Sequence, residues 1–509
     1  MTSHRKPVPD SYMLPPAPPP ASRKNIFIAA LLLYALVMWP IIHADRFYID
    51  DLGRARTGYL GWTSDGRPLS NLVVETMNLG TPISDLSPLP QLLALMLLAY
   101  LAVTASRKFN IPGTWRAPLI MAPLVANPFF LENLSYKFDV LPMTLATALS
   151  CMAVTAIPRT GWRGVLGAVA LLATLCLYQP ALNVFLVFVI AEFVLGQRDR
   201  QPMRQLLRTL AIRAGQFLAA LLAYKAVIAK TVKGHYALAH GAIASFNTCV
   251  ATFQRNLGAF WRYAADQLPG LWAKPLFVFI AIGVVAALCW SVRYLVLNWR
   301  SASTATRVAM VAGIVLLPPA LLIAPWGPML ALEFPVYAPR VMIGFGALGA
   351  VGLLFAWTAL ETTRMKSSWQ VVVLTVPVYA LLTFCFVYGD SLKQQKEFEN
   401  RVAARLSDDL GRIAAQQGIS EYVVQGSLGH AVLVQHTMRK YPLIGTLVPV
   451  YLTQGWGWAY EEMRHFGVDT RHEMSPPAGE PRDPAVVVSR DYRVYVDHGR
   501  AVVAFTPAP

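Results

Sequence analysis

Two adjacent carboxylates, Asp50 and Asp51, stand just downstream of the first apolar run of this chain. The stretch reads Asp45-Arg46-Phe47-Tyr48-Ile49-Asp50-Asp51-Leu52-Gly53-Arg54-Ala55-Arg56, and Gly61-Trp62 and Gly66-Arg67-Pro68-Leu69 follow in the same loop. Asp50 and Arg54 are four residues apart, so on a helix they pair, and such a cation favours the ionised carboxylate. An ionised acid at a membrane surface can take a proton from a hydroxyl. With Asp45 beside it the group could also hold a divalent cation, although nothing in the spacing requires one. Ionisable groups next to a crossing cost free energy and mark function by default. The plainer reading is a solvated loop whose arginines rest on lipid phosphates.

Candidates for holding a phosphate are Arg54, Arg56, Arg67, Lys137, Lys225, Lys230, Arg262 and Arg340, arginine being the better fork. Lys225 lies inside an apolar segment near its end and could equally snorkel. Asp45, Tyr48, Tyr136, Asp139, Tyr178, Gln179 and Glu333 are the candidates for touching sugar or acceptor. One base plus a phosphate-binding cluster suits glycosyl transfer from a polyprenyl-phosphate sugar. A glycosidase needs a second carboxyl to protonate its alkoxide leaving group. A phosphate leaving group needs cations instead. The carboxylate would deprotonate the acceptor hydroxyl, giving inversion by in-line displacement. Either Asp50 or Asp51 could be that base. The sequence holds no nucleotide-binding glycine loop, so the donor reads as lipid-linked.

The elements that must position these residues are membrane helices. The chain is 55% hydrophobic and only 14% charged, with a mean hydropathy of +0.44, against roughly 25% charged residues in soluble domains. Its net charge of +16 does not mark nucleic acid as a partner. Residues 389–509 hold 13 basic and 14 acidic residues, so the excess lies between apolar segments, where positive charge sets orientation. About eleven apolar segments of roughly crossing length are expected, near 26–44, 88–105, 117–131, 140–157, 164–179, 181–196, 209–229, 272–296, 308–324, 341–360 and 370–388. With residue 1 cytoplasmic, every even-numbered loop is basic, carrying Arg107-Lys108, Arg159, Arg198 to Arg208, Arg300 with Arg307, and Arg364 with Lys366. That is the positive-inside pattern.

The opposite loops then carry the unusual residues. The first, 45–87, is expected to form two short helices, Asp50 to Tyr59 and Ser70 to Leu79, the second with an interfacial face of Leu72, Val73, Thr76 and Met77. Glu132 to Asp139 is short and densely polar, and Tyr178-Gln179-Pro180 makes a tight turn. The long loop 230–271 mixes cations with aromatics. Five cysteines give no disulfide framework and nine histidines no zinc-like spacing.

Three regions are expected. Residues 1–25, with seven prolines, read as a disordered cytoplasmic arm. Residues 26–388 form the transmembrane part. Residues 389–509 form a small α+β domain outside, with a helix near 391–417 whose stripe is Phe398, Val402, Leu406, Leu410 and Ile413. Strands are expected at Glu421–Gln425, Thr446–Leu452, Val486–Ser489, Tyr492–Val496 and Ala501–Phe505. Gly455-Trp456-Gly457-Trp458 could stack on a sugar ring or pack in that small core. The fold class is therefore mainly α, a polytopic helical membrane protein.

Tyr48-Ile49-Asp50-Asp51 with Arg54, then Gly66-Arg67-Pro68-Leu69, resembles the Gtr-type O-antigen glucosyltransferases of bacterial serotype conversion, as does Tyr178-Gln179-Pro180. The resemblance covers roughly residues 26–388. It implies a GT-C-like architecture in the bacterial inner membrane with a periplasmic active site. It further implies undecaprenyl-phosphate glucose as donor, supplied by a partner synthase and flippase, and lipid-linked O-antigen or another surface polysaccharide as acceptor. No cofactor is required, and a first-loop acid, here Asp50 or Asp51, serves as base. The rival classes are an O-antigen polymerase or ligase, and a lipid-linked sugar flippase. A transporter would place charged or broken helices at the midplane, whereas here the polar groups gather at one face.

Overall fold

The computed structural model describes residues 22–159, 161–363, 365–468, 471–473 and 484–505. The proline-rich arm, as far as residue 21, lies outside these.

Every apolar segment read in the sequence forms a helix. In chain order the first half holds α1 (Arg23–Ala44), α2 (Asp51–Thr57), α3 (Pro68–Met77), α4 (Leu89–Lys108), α5 (Arg116–Val125), α6 (Phe130–Ser135), α7 (Val140–Thr155), α8 (Arg163–Leu177) and α9 (Leu182–Arg198). There follow α10 (Met203–Ala223), α11 (His235–Gly241), α12 (Cys249–Gln267), α13 (Lys274–Asn298), α14 (Thr304–Ile323), α15 (Ile343–Glu361) and α16 (Ser367–Gln417). Among the described residues eight helices are long and apolar enough to cross a bilayer. The segments at α5, α7 and α8 are shorter, at 10, 16 and 15 residues. A straight crossing needs about 20 residues, yet these three join the same two ends of the bundle, with Lys108 and Arg159 meeting at Glu192 at one end and Lys137 and Tyr178 meeting Asp51 and Arg340 at the other.

The bundle is assembled around two helices. α1 packs against α4, α5 and α16, and α15 is buried from Ile343 to Thr358 against α5, α9 and α13. Lipid tails give helices no hydrophobic reason to associate, so close backbone approach through small residues does the work. Gly283 of α13 and Gly352 of α15 meet in this way. The consecutive loops return to one end of the bundle, and that end collects 45–88, 132–139, Tyr178-Gln179 and Arg340.

The C-terminal region is not hinged off by a linker. α16 is one helix of 51 residues that runs straight through residue 388. Its far half presents Val402, Leu406, Leu410 and Ile413, all buried, to a second core that includes Tyr422, Met463, Val494 and Val503. A five-stranded sheet of order β2-β1-β5-β4-β3 covers that core, with β1 Glu421–Gln425, β2 Arg471–Glu473, β3 Val487–Val488, β4 Tyr492–Asp497 and β5 Arg500–Phe505. β4 and β5 form a hairpin whose turn residues His498 and Gly499 both have positive φ (49° and 75°), as a two-residue primed turn requires. The strand expected at Thr446–Leu452 is absent. α17 (Val432–Lys440) and α18 (Leu443–Leu447) lead into an irregular stretch over 448–452, and α19 (Trp458–His465) follows. Leu443, Ile444 and Leu447 are drawn into the main bundle core, so burial beneath the helices overrode the local β-propensity. Trp272 stacks on Phe384 with Tyr441 alongside, which ties this segment to α16.

The α13–α15 contact is testable. A Cβ on Gly283 would stand 2.4 Å from the Gly352 carbonyl oxygen, whereas Gly215 on α10 has nothing within 4 Å of an added Cβ. Gly283→Ala should lower the melting temperature in detergent, by roughly 1–3 kcal/mol of overpacking. Gly215→Ala should leave it unchanged or raise it, because alanine is the better helix former. Equal behaviour of the two variants would contradict the close approach.

Candidate active site

The first loop leaves α1 through two left-handed residues, Asp45 (φ 47°) and Ile49 (φ 50°). A β-branched side chain at positive φ is strained by about 1–3 kcal/mol and needs its surroundings to hold it. The hold comes from the C-terminal region. Tyr451 Oη accepts the Ile49 N–H (3.0 Å) and donates to the Phe47 carbonyl (2.7 Å), and Tyr48 Oη donates to the Leu447 carbonyl (2.9 Å). Arg46 is buried against Glu399 and the Pro449 carbonyl, with its guanidinium over the Tyr451 ring. α2 starts directly after this kink, and the two aspartates face different ways.

Asp51 points inward and is fully buried. Its carboxylate accepts the backbone N–H groups of Tyr48 (3.1 Å), Lys137 (2.8 Å) and Phe138 (3.4 Å), fastening the first loop to the 132–139 loop. Burial pushes its carboxyl up to about 7 against the pull of those donors. Asp50 keeps 41% of its side chain open and lies 3.5 Å from Arg54 Nη1. Burial of the rest, with Asp139 nearby, raises its carboxyl above the usual range, while Arg54, Arg67 and Arg340 pull it down.

Asp139 is the hub behind Asp50. It accepts the Trp62 indole N–H (2.6 Å) and meets Arg54 (3.3 Å) and Arg67 (3.5 Å). The Arg54 guanidinium lies over the Trp62 ring, 4.2 Å from its centre, a placement that suits a desolvated cation. Arg340 is gripped by Glu132, which takes its Nη1–H (2.8 Å) and its backbone N–H (2.7 Å). Its second amino group reaches Tyr236 Oη, and 28% of its side chain stays open. Tyr136, buried edge-on to Tyr48, lies within the field of Glu132, Arg340 and Asp50.

The Gly66-Arg67 and Tyr178-Gln179 motifs interlock. Gln179 Nε2 donates toward the Asp65 and Gly66 carbonyls (3.3 and 3.4 Å), and Tyr224 Oη donates to Gly66 (3.0 Å). Gly66 has φ 76°, and a Cβ there would meet Tyr224 Oη at 2.3 Å, so only glycine fits. Tyr178 donates to the Arg340 carbonyl (2.9 Å) with Arg67 near its ring face. Two distant motifs thereby set the positions of Arg67 and Arg340.

The remaining candidates lie apart. Arg56 is bound by both oxygens of Glu461 on α19. Lys137 Nζ is held by Asp45 (2.6 Å) and Asp85 (3.0 Å), and Asp45 also meets Lys396 (3.3 Å). Lys225, Lys230, Arg262 and Glu333 are exposed, and no hydrogen bond or ion pair among the described residues joins them to Asp50 or its arginines. Glu132, Trp62 and Tyr224 belong to the constellation although spacing did not single them out. Only the polar density of 132–139 pointed toward Glu132. Among the described residues no cluster of acids, histidines or cysteines could hold a metal.

The profile described as Glucosyl transferase GtrII matches residues 40–351, more than half of the chain, and begins just before the kinked loop. This chain belongs to the GtrII glucosyltransferase family. A Salmonella phage P22 protein, described as an uncharacterised 55.3 kDa protein in the gtrB 5′ region, is 28% identical over 447 residues, covering 86% of this chain and 89% of the phage protein. No solved structure matches. The GtrII match spans Asp50, Asp139, Tyr178 and Arg340 but ends before α16, so the contacts from Glu399, Tyr451 and Glu461 come from outside it.

Asp51 in this glucosyltransferase gives a pH-dependent prediction. An amide offers one acceptor oxygen where the carboxyl group, protonated or ionised, offers two, so Asp51→Asn should leave a backbone N–H unpaired, at a cost of about 1–3 kcal/mol. The folded pKa of Asp51, about 7, exceeds that of an unfolded carboxyl. Its stabilising contribution is therefore whole below about pH 4 and is lost as pH rises to 7. Melting temperatures should show the variant less stable at pH 5, with the gap narrowing by pH 8. A gap that widens with pH would refute the assignment.

Proposed function

We propose that this membrane glycosyltransferase moves a hexosyl group, glucose first among the choices, from an undecaprenyl-phosphate sugar to lipid-linked O-antigen or a related surface polysaccharide. The observation that carries the reading is one half-open carboxylate, Asp50, facing three arginines on a single membrane face. Asp50 takes the proton of the acceptor hydroxyl. The acceptor oxygen attacks the anomeric carbon, and the bond to phosphate breaks with its electron pair on the departing phosphate. Arg67 and Arg340, each partly open, receive that charge, while Arg54 favours the ionised form of Asp50 and Asp139 holds Arg54 beside it. No proton donor to the leaving group is required, because a phosphate is already a stable anion. Asp51, engaged by three N–H groups, holds the loop in place instead. A polymerase or ligase would share this face but join longer saccharides. The Gtr family name and the gtrB-region relative support glucosyl transfer in O-antigen modification.

The basic ends of the helices, at Lys108, Arg159 and Arg198, then face the cytoplasm of a bacterial inner membrane, and Asp50 and the C-terminal sheet face the periplasm. Alkaline phosphatase fused after Phe505 should be active and the same reporter within residues 198–208 silent. The reverse pattern would overturn the orientation.

The mechanism itself is tested with purified protein, labelled polyprenyl-phosphate glucose and lipid-linked acceptor. Asp50→Asn should fold like the parent, because its side chain is half open, and should lose about 10²–10⁴-fold in transfer. The parent rate should climb with pH through an acidic limb displaced above the usual carboxylate range, since Asp50 works only when ionised. An Asp50→Asn variant with near-parental turnover, or a rate that falls over that limb, would remove Asp50 from the chemistry.

A further inference from the structure

The end of the bundle remote from Asp50 carries a second charged cluster that glycosyl transfer does not use. Glu192, near the end of α9, is ion-paired with Lys108 at the end of α4, with Arg159 after α7 (3.1 Å) and with Arg213 of α10 (2.9 Å). Arg213 is fully engaged as scaffold, donating also to the Ala153 carbonyl (2.7 Å) and to Gln216 (3.1 Å). Lys108 and Arg159 are different: 23% and 27% of their side chains remain open. Three cations around one carboxylate leave two positive charges uncompensated where water reaches only in part. Such an excess is costly at reduced dielectric unless a counter-ion joins it.

A cavity of about 140 Å³ lies beside the cluster, lined by Lys108, Asn110, Arg159, Glu192, Arg198 and Thr209 among others. A hollow of that size admits several water-sized groups, which is room for a phosphate. Arg198 is already neutralised by Asp199 (2.8 Å), so Lys108 and Arg159 are the cations left to meet a ligand. We infer that this cavity binds a phosphate group through Lys108 and Arg159, on the membrane face opposite Asp50. That chemistry has two sources, the headgroup of an anionic phospholipid and a free phosphate ion. The basic residues Arg107, Arg200, Arg204 and Arg208 raise the local concentration of either.

Glu192 separates this site from a network that only glues helices together. As an internal counter-ion it competes with the phosphate, so its neutralisation should strengthen binding. The probes are phosphatidylglycerol titrated into detergent-purified full-length protein, read by native mass spectrometry, and inorganic phosphate, read by calorimetry. Phosphatidylglycerol retention with no effect of phosphate identifies the lipid headgroup, and displacement by millimolar phosphate identifies the free ion. Either supports the site if Lys108→Gln/Arg159→Gln weakens binding about tenfold or more and Glu192→Gln tightens it severalfold. Arg213 keeps two bonds to Glu192 in the double variant, so that variant should still fold. Its melting temperature and glucosyl transfer are measured alongside. Parental binding by the double variant, weaker binding by Glu192→Gln, or no binding of either probe would overturn the inference.

Discussion

The buried carboxylate of Asp51 is the contact on which the site depends. It joins three backbone N–H groups from two loops that are far apart in sequence, at Tyr48 and at Lys137 and Phe138. A loop lying on a membrane has little core of its own, because its apolar residues can satisfy themselves in lipid. Directional bonds to backbone must fix it instead, and a carboxylate has the acceptor capacity for several at once. Once Asp51 is turned inward, the next residue back, Asp50, is turned outward to a half-open position beside Arg54. The pair thus divides structural and chemical tasks by direction of side chain alone.

Around Asp50 the charges nearly balance: Asp50, Asp139 and Glu132 against Arg54, Arg67 and Arg340. In the proposed reaction a lipid phosphate brings negative charge that the open sides of Arg67 and Arg340 can meet. Taking a proton onto Asp50 removes one negative charge at the moment the leaving phosphate gains one. The electrostatic load would therefore shift from Asp50 to the phosphate without growing, and that favours chemistry where water is partly excluded. Arg54, packed over the Trp62 ring and gripped by Asp139, is too deeply set to follow a substrate and serves as a fixed charge.

Much of this was legible in the sequence. The apolar runs fixed where the helices lie, and the spacing of Asp50 and Arg54 predicted a pair that the structure forms. Four things were not legible, each for a physical reason. The lengths of α5, α7 and α8 fall short because polar residues and loop ends at the site face interrupt the apolar runs. Thr446–Leu452 reads as strand locally, yet Leu447 and Val448 are taken into the helical core and Leu452 into the C-terminal one. The side-chain directions of Asp50 and Asp51 follow from backbone kinks at Asp45 and Ile49, non-glycine residues in a left-handed conformation that no propensity would assign. Lys137 and Arg56 looked like free cations because their partners, Asp85 and Glu461, lie 52 and 405 residues away.

The strained Ile49 connects the C-terminal region to the chemistry. Tyr451 spans the kink, receiving from Ile49 and donating to Phe47, and Arg46 and Glu399 hold Tyr451 in turn. α16 carries Glu399 on the same continuous helix that packs against α1 in the bundle, so the brace and the helix that delivers the loop are one rigid body in effect. A kink held from only one side would relax toward the ordinary β or α regions and swing Asp50 away from Arg67 and Arg340. Held from both sides, by Asp51 through Lys137 and by Tyr451 through Phe47, it has no such freedom. With Asp50 as the proposed base, the C-terminal region need not touch substrate to matter for transfer, because a base aimed by a strained turn is only as well placed as the groups that keep the turn from relaxing.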